Sequence, residues 1–397
     1  MPKDDINYSF TENGIVYDFY DVFVPAENFR QPTLFTWGYN DPGQLGDNTT
    51  TDRSTPVTTF AGGTNWKQVA AGRQYSAAIK TDGTLWTWGA GGEGQLGTNN
   101  TTTRSTPVTT FAGGTNWKQV ACGYSHTVAI KTDGTLWVWG RNNDIPRLGT
   151  NNTTNRNTPV TTFAGGTNWK SVSTGKVSTV AIKTDGTLWV WGGNDKGQLG
   201  TNDTNTRSTP VTTFAGGTNW KQVSCINDHI LAIKTDGSLW TWGNGADGRL
   251  GTNDTNTRTT PVTTFAGGTN WKSVAFGGST GNHSAAIKTD GSLWTWGNGD
   301  NGRLGTNNGI NRSTPVTTFA GGNNWKSIAV GDSHTGAIKT DGTLWSWGFT
   351  GSGRLGNNIT GFGSRNTPVT TFAGGNNWKQ VACGAAHGAA IKYSPDP

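Results

Sequence analysis

The 397-residue chain is predicted to be all-β: a seven-bladed β-propeller of four-stranded blades, its ring closed by strands from both ends, with an N-terminal β-hairpin extension. Three observations predict it. The phrase Leu-aromatic-x-Trp-Gly recurs with its Trp at Trp37, Trp88, Trp139, Trp191, Trp242, Trp296 and Trp347, at intervals of 51, 51, 52, 51, 54 and 51 residues. A fixed period near 50 residues marks a propeller or solenoid, because a unit that short cannot bury its own apolar face. Each interval holds four short alternating runs separated by turn residues, the content of one blade. Finally, the last copy stops at Ile391-Lys392, before the strand that the first copy begins with at Leu34.

The elements follow in chain order. Residues 1–33 read as an acidic docking segment, with two basic and six acidic side chains. Residues 6–10 and 15–24 alternate around Asn13-Gly14, the pattern of a hairpin with a tight turn. Tyr8, Phe10, Tyr17, Phe19, Tyr20 and Phe23 are too many aromatics for a free tail and are the candidate docking residues. The propeller spans residues 34–392, and residues 393–397 form a tail.

Residues 64–111 show one unit. Trp66-Lys-Gln-Val-Ala and Ser76-Ala-Ala-Ile-Lys are two short strands, and Thr81-Asp82-Gly83 is a hairpin turn with Gly supplying the positive φ. Leu85-Trp-Thr-Trp88 follows, with both Trp on one face of the strand. A Gly-rich loop ending Gly94-Gln-Leu-Gly97 leads to Thr106-Pro-Val-Thr-Thr-Phe111. Pro107 has no N–H for a ladder, so this fourth strand belongs at an edge. Pairing the chain's two ends would remove a free sheet edge.

Composition agrees. Hydrophobic content is only 32%, but all 20 Trp lie in the repeat, and each can bury roughly 150–250 Å². The Trp are therefore read as core. Cys122, Cys225 and Cys383 share one repeat position in blades that are not neighbours, and are read as small unbridged buried residues. No stretch approaches the roughly 20 apolar residues of a membrane span, so membrane insertion is not expected. No secretory signal pattern is visible at Met1. The basic residues are spread evenly rather than gathered in a stripe, which disfavours nucleic acid.

Several motifs point to chemistry and are set aside on physical grounds. Gly243-Asn-Gly245-Ala-Asp-Gly248 and Gly297-Asn-Gly299-Asp-Asn-Gly302 match a dinucleotide fingerprint, but coil follows where a helix is required. His126, His229, His283, His334 and His387 occupy one position in different blades, so they diverge around the ring and cannot share a metal ion. A repeated hydrogen-bonding role at a strand start explains all five. No catalytic residue, metal ligand or cofactor is assigned, and the protein is read as non-enzymatic.

Leu-Trp-x-Trp-Gly, Gly-Gln/Arg-Leu-Gly, Gly-x-x-His-x-x-Ala-Ile and Asp-Gly-Thr/Ser, repeated in order over residues 34–392, resemble the regulator-of-chromosome-condensation repeat family. The resemblance implies a seven-bladed propeller. It implies no single activity, because members include an exchange factor on chromatin, an ultraviolet receptor and an enzyme inhibitor. The receptor's light-sensing Trp sit beside the family His. The corresponding segments here, such as Arg73-Gln-Tyr-Ser and Tyr124-Ser-His-Thr, hold no Trp, which disfavours photoreception. The monotonous Thr/Asn/Gly-rich copies look like versions encoded by bacteria and their phages.

The copies differ mainly on one face. Its candidate partner-binding residues are Arg73, Gln74, Tyr75, Tyr124, Arg141, Asn142, Ile145, Lys176, Val177, Ile226, Asp228, Asn282 and Phe362. Exposed Ile, Phe and Tyr at loop tips are better explained by a partner than by solvation. The other face, with the Thr-Asp-Gly and Ala-Gly-Gly-Thr/Asn-Asn turns, is nearly constant. Together these features lead to an expected structural or attachment protein of a phage-like virion, located in the virion, with capsid, tail or host-surface partners. The alternative is a cytoplasmic protein–protein interaction module of the exchange-factor or inhibitor kind.

Overall fold

A computed structural model describes residues 8–12, 15–19, 32–277 and 281–393. Seven sheets of the expected strand order form the ring. Six blades are continuous in sequence, at 66–109, 117–161, 169–212, 220–263, 271–317 and 325–370, and are numbered one to six here. Blade seven combines Trp378–Cys383 and His387–Tyr393 with Pro32–Gly38 and Arg53–Thr58. Its closing pair runs in register from Pro32 opposite Tyr393, through Leu34 opposite Ile391, to Gly38 opposite His387. The ring is closed by backbone hydrogen bonds between the chain's two ends.

The first strand of each blade is innermost. First strands of neighbouring blades touch one another, and those of blades seven, one, two and three line an axial cavity of about 140 Å³. The Pro-bearing strands, such as Arg104–Thr109, are outermost, as a missing N–H requires. Gly83 shows why the Thr-Asp-Gly turn admits no other residue. Its φ is +81°, and an added Cβ would lie 2.0 Å from the Thr115 carbonyl oxygen of the next repeat.

Trp packing builds the core. In blade one, the fully buried Trp66 meets Trp86 and Trp88 edge to face, with centroids 6.3 Å apart in both pairs. Lys80 Nζ lies 5.0 and 4.4 Å from the Trp66 and Trp86 rings and covers the cluster. The same triad and lysine recur in blades two to six; blade seven has Phe35 against Trp378. Cys122, Cys225 and Cys383 are unbridged and buried.

Two departures stand out. The first strand of blade five ends at Val274, and Phe276–Gly277 pairs in parallel with Ala329 and Val330 of blade six. At the N-terminus, Tyr8–Glu12 pairs antiparallel with Ile15–Phe19, with Tyr8 opposite Phe19. The Asn13-Gly14 turn, Tyr20 and Phe23 lie outside the described residues, as do residues 278–280 of the insertion in blade five.

Candidate interaction face

The variable face is organised by a joint between blades. The second strand of each blade starts with His, Tyr or Ser, and for four of the five His the next blade presents a hydroxyl to the ring. His126 Nε2 lies 3.0 Å from Thr179 Oγ1, His229 Nε2 2.8 Å from Ser284 Oγ, His283 Nε2 2.7 Å from Thr335 Oγ1, and His387 Nε2 3.0 Å from Ser76 Oγ. Each hydroxyl donates onward to a carbonyl of the Gly-Gln/Arg-Leu-Gly loop: Thr179 to Arg147, Ser284 to Arg249, Thr335 to Arg303 and Ser76 to Gln44. With its proton committed, the hydroxyl must accept from the ring, so the imidazole carries its hydrogen on Nε2. Burial holds His126, His229, His283 and His334 well below the usual imidazole range and His387 at about 3. All five are neutral; His126, His229, His283 and His387 fill the hydrogen-bonding role expected of them, while neither ring nitrogen of His334 has a protein partner.

The same joint corrects three expected surface residues. Tyr75, Asn142 and Ile226 are fully buried and cannot meet a partner. Tyr75 occupies the His position of blade one, and its hydroxyl reaches Thr127 and the His126 carbonyl of blade two. Asn142 accepts from the Leu148 backbone, as Asn40 and Asn194 accept from Leu45 and Leu199. Ile226 ends an inner strand that runs one residue longer than in most other blades. Tyr75 and Asn142 were legible from alignment of the repeats, because their counterparts join the blades or fold the loop, whereas Ile226 stands where the other copies have Gly.

The remaining candidates fall into separate groups. Arg73, Gln74 and Tyr124 come together with Tyr39, Asp332, Ala385 and Ala386 around a hollow of about 340 Å³. The Arg73 guanidinium stacks on Tyr124, 4.4 Å from the ring centre. Burial pushes the Asp332 carboxyl up, against the pull of Arg303, Arg354 and Arg73. Burial, with Asp41 and Asp52 nearby, also raises the Tyr39 phenol. The hollow therefore offers aromatic walls with charges of both signs. Asp332, like Tyr39, Ala385 and Ala386, was not among the candidates, because the hollow gathers residues from blades on either side of the ring closure.

Arg141 is engaged in ion pairs with Asp144 and Glu93, at 3.0 and 3.6 Å. Ile145 and Val177 flank Gly193, and both are half-buried, while Lys176 is exposed. Asp228 is half-buried, with its carboxyl raised by burial. Asn282 accepts from Asn227 and Arg249, both at 2.9 Å. Phe362 is 90% exposed, with its ring against Phe349. None of these lines the hollow. Among the described residues, no three His, Cys, Asp or Glu side chains gather at metal-binding distance, and no helix is long and apolar enough to cross a membrane.

Comparison with known proteins places this geometry. Residues 30–315 match the RCC1-like domain, and residues 341–391 and 325–354 each match the regulator of chromosome condensation (RCC1) repeat. The chain is 31% identical over 328 residues to the Ultraviolet-B receptor UVR8 of Arabidopsis thaliana, covering 81% of this chain and 74% of that protein. It is also 31% identical to the mitochondrial RCC1 domain-containing protein RUG3 of the same plant, covering 68% of this chain and 63% of that one. Among solved structures, yeast RCC1 (Prp20) bound to Kap60 superimposes with a TM-score of 0.80 at 20% identity, over 93% of this chain and 92% of that one.

Proposed function

The chain belongs to the RCC1-like domain family, and from that premise we propose that it is a non-enzymatic protein–protein interaction module acting through its variable face. The observation that carries the reading is the hollow between Tyr39, Arg73, Gln74, Tyr124 and Asp332, on the face where the seven copies diverge. Stacked Arg and Tyr side chains are enriched where a partner's side chain is desolvated. A structural relative holds a protein partner, Kap60, which favours this reading over a virion component. None of the relatives named above is a particle protein, and they lend the phage-like role no support. Ultraviolet reception is not part of the proposal, because the segments beside the His positions contain no Trp.

The test is affinity purification from native source material with Arg73→Glu and Tyr124→Ala variants, read by quantitative mass spectrometry. Partners recovered with the parent chain should fall at least tenfold with either variant. An unchanged partner list, or co-sedimentation of the chain with a megadalton particle on a density gradient, would sink the proposal.

A further inference from the structure

The constant face carries a charge arrangement that the reading of the opposite face does not use. The second residue of each innermost strand is lysine: Lys67, Lys118, Lys170, Lys221, Lys272, Lys326 and Lys379. In each blade it is the residue skipped by the register shift between the first two strands, as between Trp66 and Gln68. A skipped residue is left outside the ladder, and all seven are exposed. Each directly precedes the Gln or Ser of its strand, and Gln68, Gln119 and Gln380 line the axial cavity. Seven exposed lysines therefore stand one to a blade near the constant-face ends of the innermost strands. Among the described residues none of them forms an ion pair, and only Lys379 has a polar partner, the Tyr393 hydroxyl at 2.6 Å.

The rest of this face adds to the imbalance. It holds seven further lysines of the Lys80 kind and six aspartates of the Asp82 kind, giving fourteen positive against six negative charges, or +8. Residues 34–397 carry 29 basic and 19 acidic side chains, or +10, so this single face holds most of the excess. Around it, the crossovers to the next blade begin with Phe60, Phe111, Phe163, Phe214, Phe265, Phe319 and Phe372, each 64–67% exposed. A solvated drift position does not explain seven identical exposed aromatics beside an unpaired ring of cations.

One segment of the chain complements this face and is joined to it. Pro32, to which residues 1–31 are joined, lies opposite Tyr393 at the constant face, where the other blades place the Thr-Asp-Gly turn. They carry Asp4, Asp5, Glu12, Asp18, Asp21 and Glu27 against Lys3 and Arg30, together with the six aromatics named above. Thirty-one residues can extend about 100 Å, against roughly 20 Å for the four strands of one blade. We propose that residues 1–31 dock on the constant face of their own propeller, with their carboxylates on the lysine ring and their aromatics toward the exposed phenylalanines. The segment then masks a surface that would otherwise attract polyanions. This inference is independent of the variable-face reading.

The test is zero-length carbodiimide coupling of the full chain, mixed from ¹⁴N- and ¹⁵N-labelled protein and mapped by peptide mass spectrometry. Amide links from the six acidic residues to Lys67, Lys118 or their counterparts should form within single chains. Their yield should fall severalfold from about 0.05 to about 1 M salt, where the Debye length shrinks to about 3 Å. A variant with all seven ring lysines changed to Gln should lose the links and keep its unfolding midpoint. Links to Lys176 or Lys196 on the other face, links only between chains, or a folded protein with none would overturn the proposal. So would binding to phosphatidylserine vesicles that is equally strong in the parent and in a D4N/D5N/E12Q/D18N/D21N/E27Q variant, since the face would then be open to lipid.

Discussion

The joint between blades seven and one and the joint between blades six and seven lie on either side of the same closing blade, yet they are held differently. At the first, Gln380 grips the Val69 backbone through both its amide groups, each at 3.1 Å, and His387 meets Ser76. At the second, Ser327 stands where the gripping Gln would be, and its hydroxyl has no protein partner. His334 faces Gly388 instead of a hydroxyl residue, and neither of its ring nitrogens has a protein partner. This joint keeps Trp37 Nε1 donating to the Arg354 carbonyl at 3.0 Å, beside backbone bonds from Trp378 to Gly342 and from Asn358 to Ser54. Gly388 cannot simply be restored to Ser, because an added Cβ would lie 2.4 Å from the Trp37 ring. Near-identical repeats thus make unequal joints, since each joint needs two residues from different copies to match.

The largest effect is expected at the weaker joint. Trp37→Ala removes its buried indole hydrogen bond and a side chain that is 2% exposed, so stability should fall by about 3–5 kcal/mol in urea unfolding. Native-state hydrogen exchange should show blade seven opening first at its blade-six side. Equal protection on both sides of blade seven would break the comparison.

Acid should act next, and on both joints. The buried histidines have folded values below their unfolded value of about 6.5, so the unfolded chain binds more protons. The stability they provide is complete above that pH and is lost progressively as pH falls toward about 3, the His387 value. His387→Gln should flatten the urea midpoint between pH 7 and pH 4 by one proton's worth of slope. A curve parallel to the parent's would show that this imidazole does not titrate on unfolding.

Smaller changes sharpen the contrast. Gln380→Ala leaves the buried Val69 N–H unpaired and should cost about 1–3 kcal/mol. Ser327→Gln offers the missing grip on Val381 and should gain about 0.5–1.5 kcal/mol by the same measure. If both variants match the parent, the glutamine grip has no part in the difference. Arg73→Glu, at an exposed residue stacked on Tyr124, should stay within about 0.5 kcal/mol of the parent. That separates its loss of partner from any loss of fold.

Much of the fold was legible because the period, the Pro in each outer strand and the interrupted last repeat are local and redundant signals. The site was less legible. Arg73, Gln74 and Tyr124 were named and do share a hollow, but Asp332, from a blade far along the chain, completes it. Tyr75 and Ile226 were expected at the surface because variation between copies was taken for exposure. Tyr75 differs from His126 while filling the same buried place.

The sequence by itself determined the blade count, the strand order within a blade, the closing pair and which residue types recur. These depend on alternation, turn chemistry and spacing, which act within a single repeat. Only the tertiary structure decided which copies make good joints, where Asp332 meets Arg73, and that seven evenly spaced lysines share one end of the innermost strands. Those outcomes depend on the ring bringing residues about 50 or several hundred positions apart within a few ångströms, a proximity that no local pattern encodes.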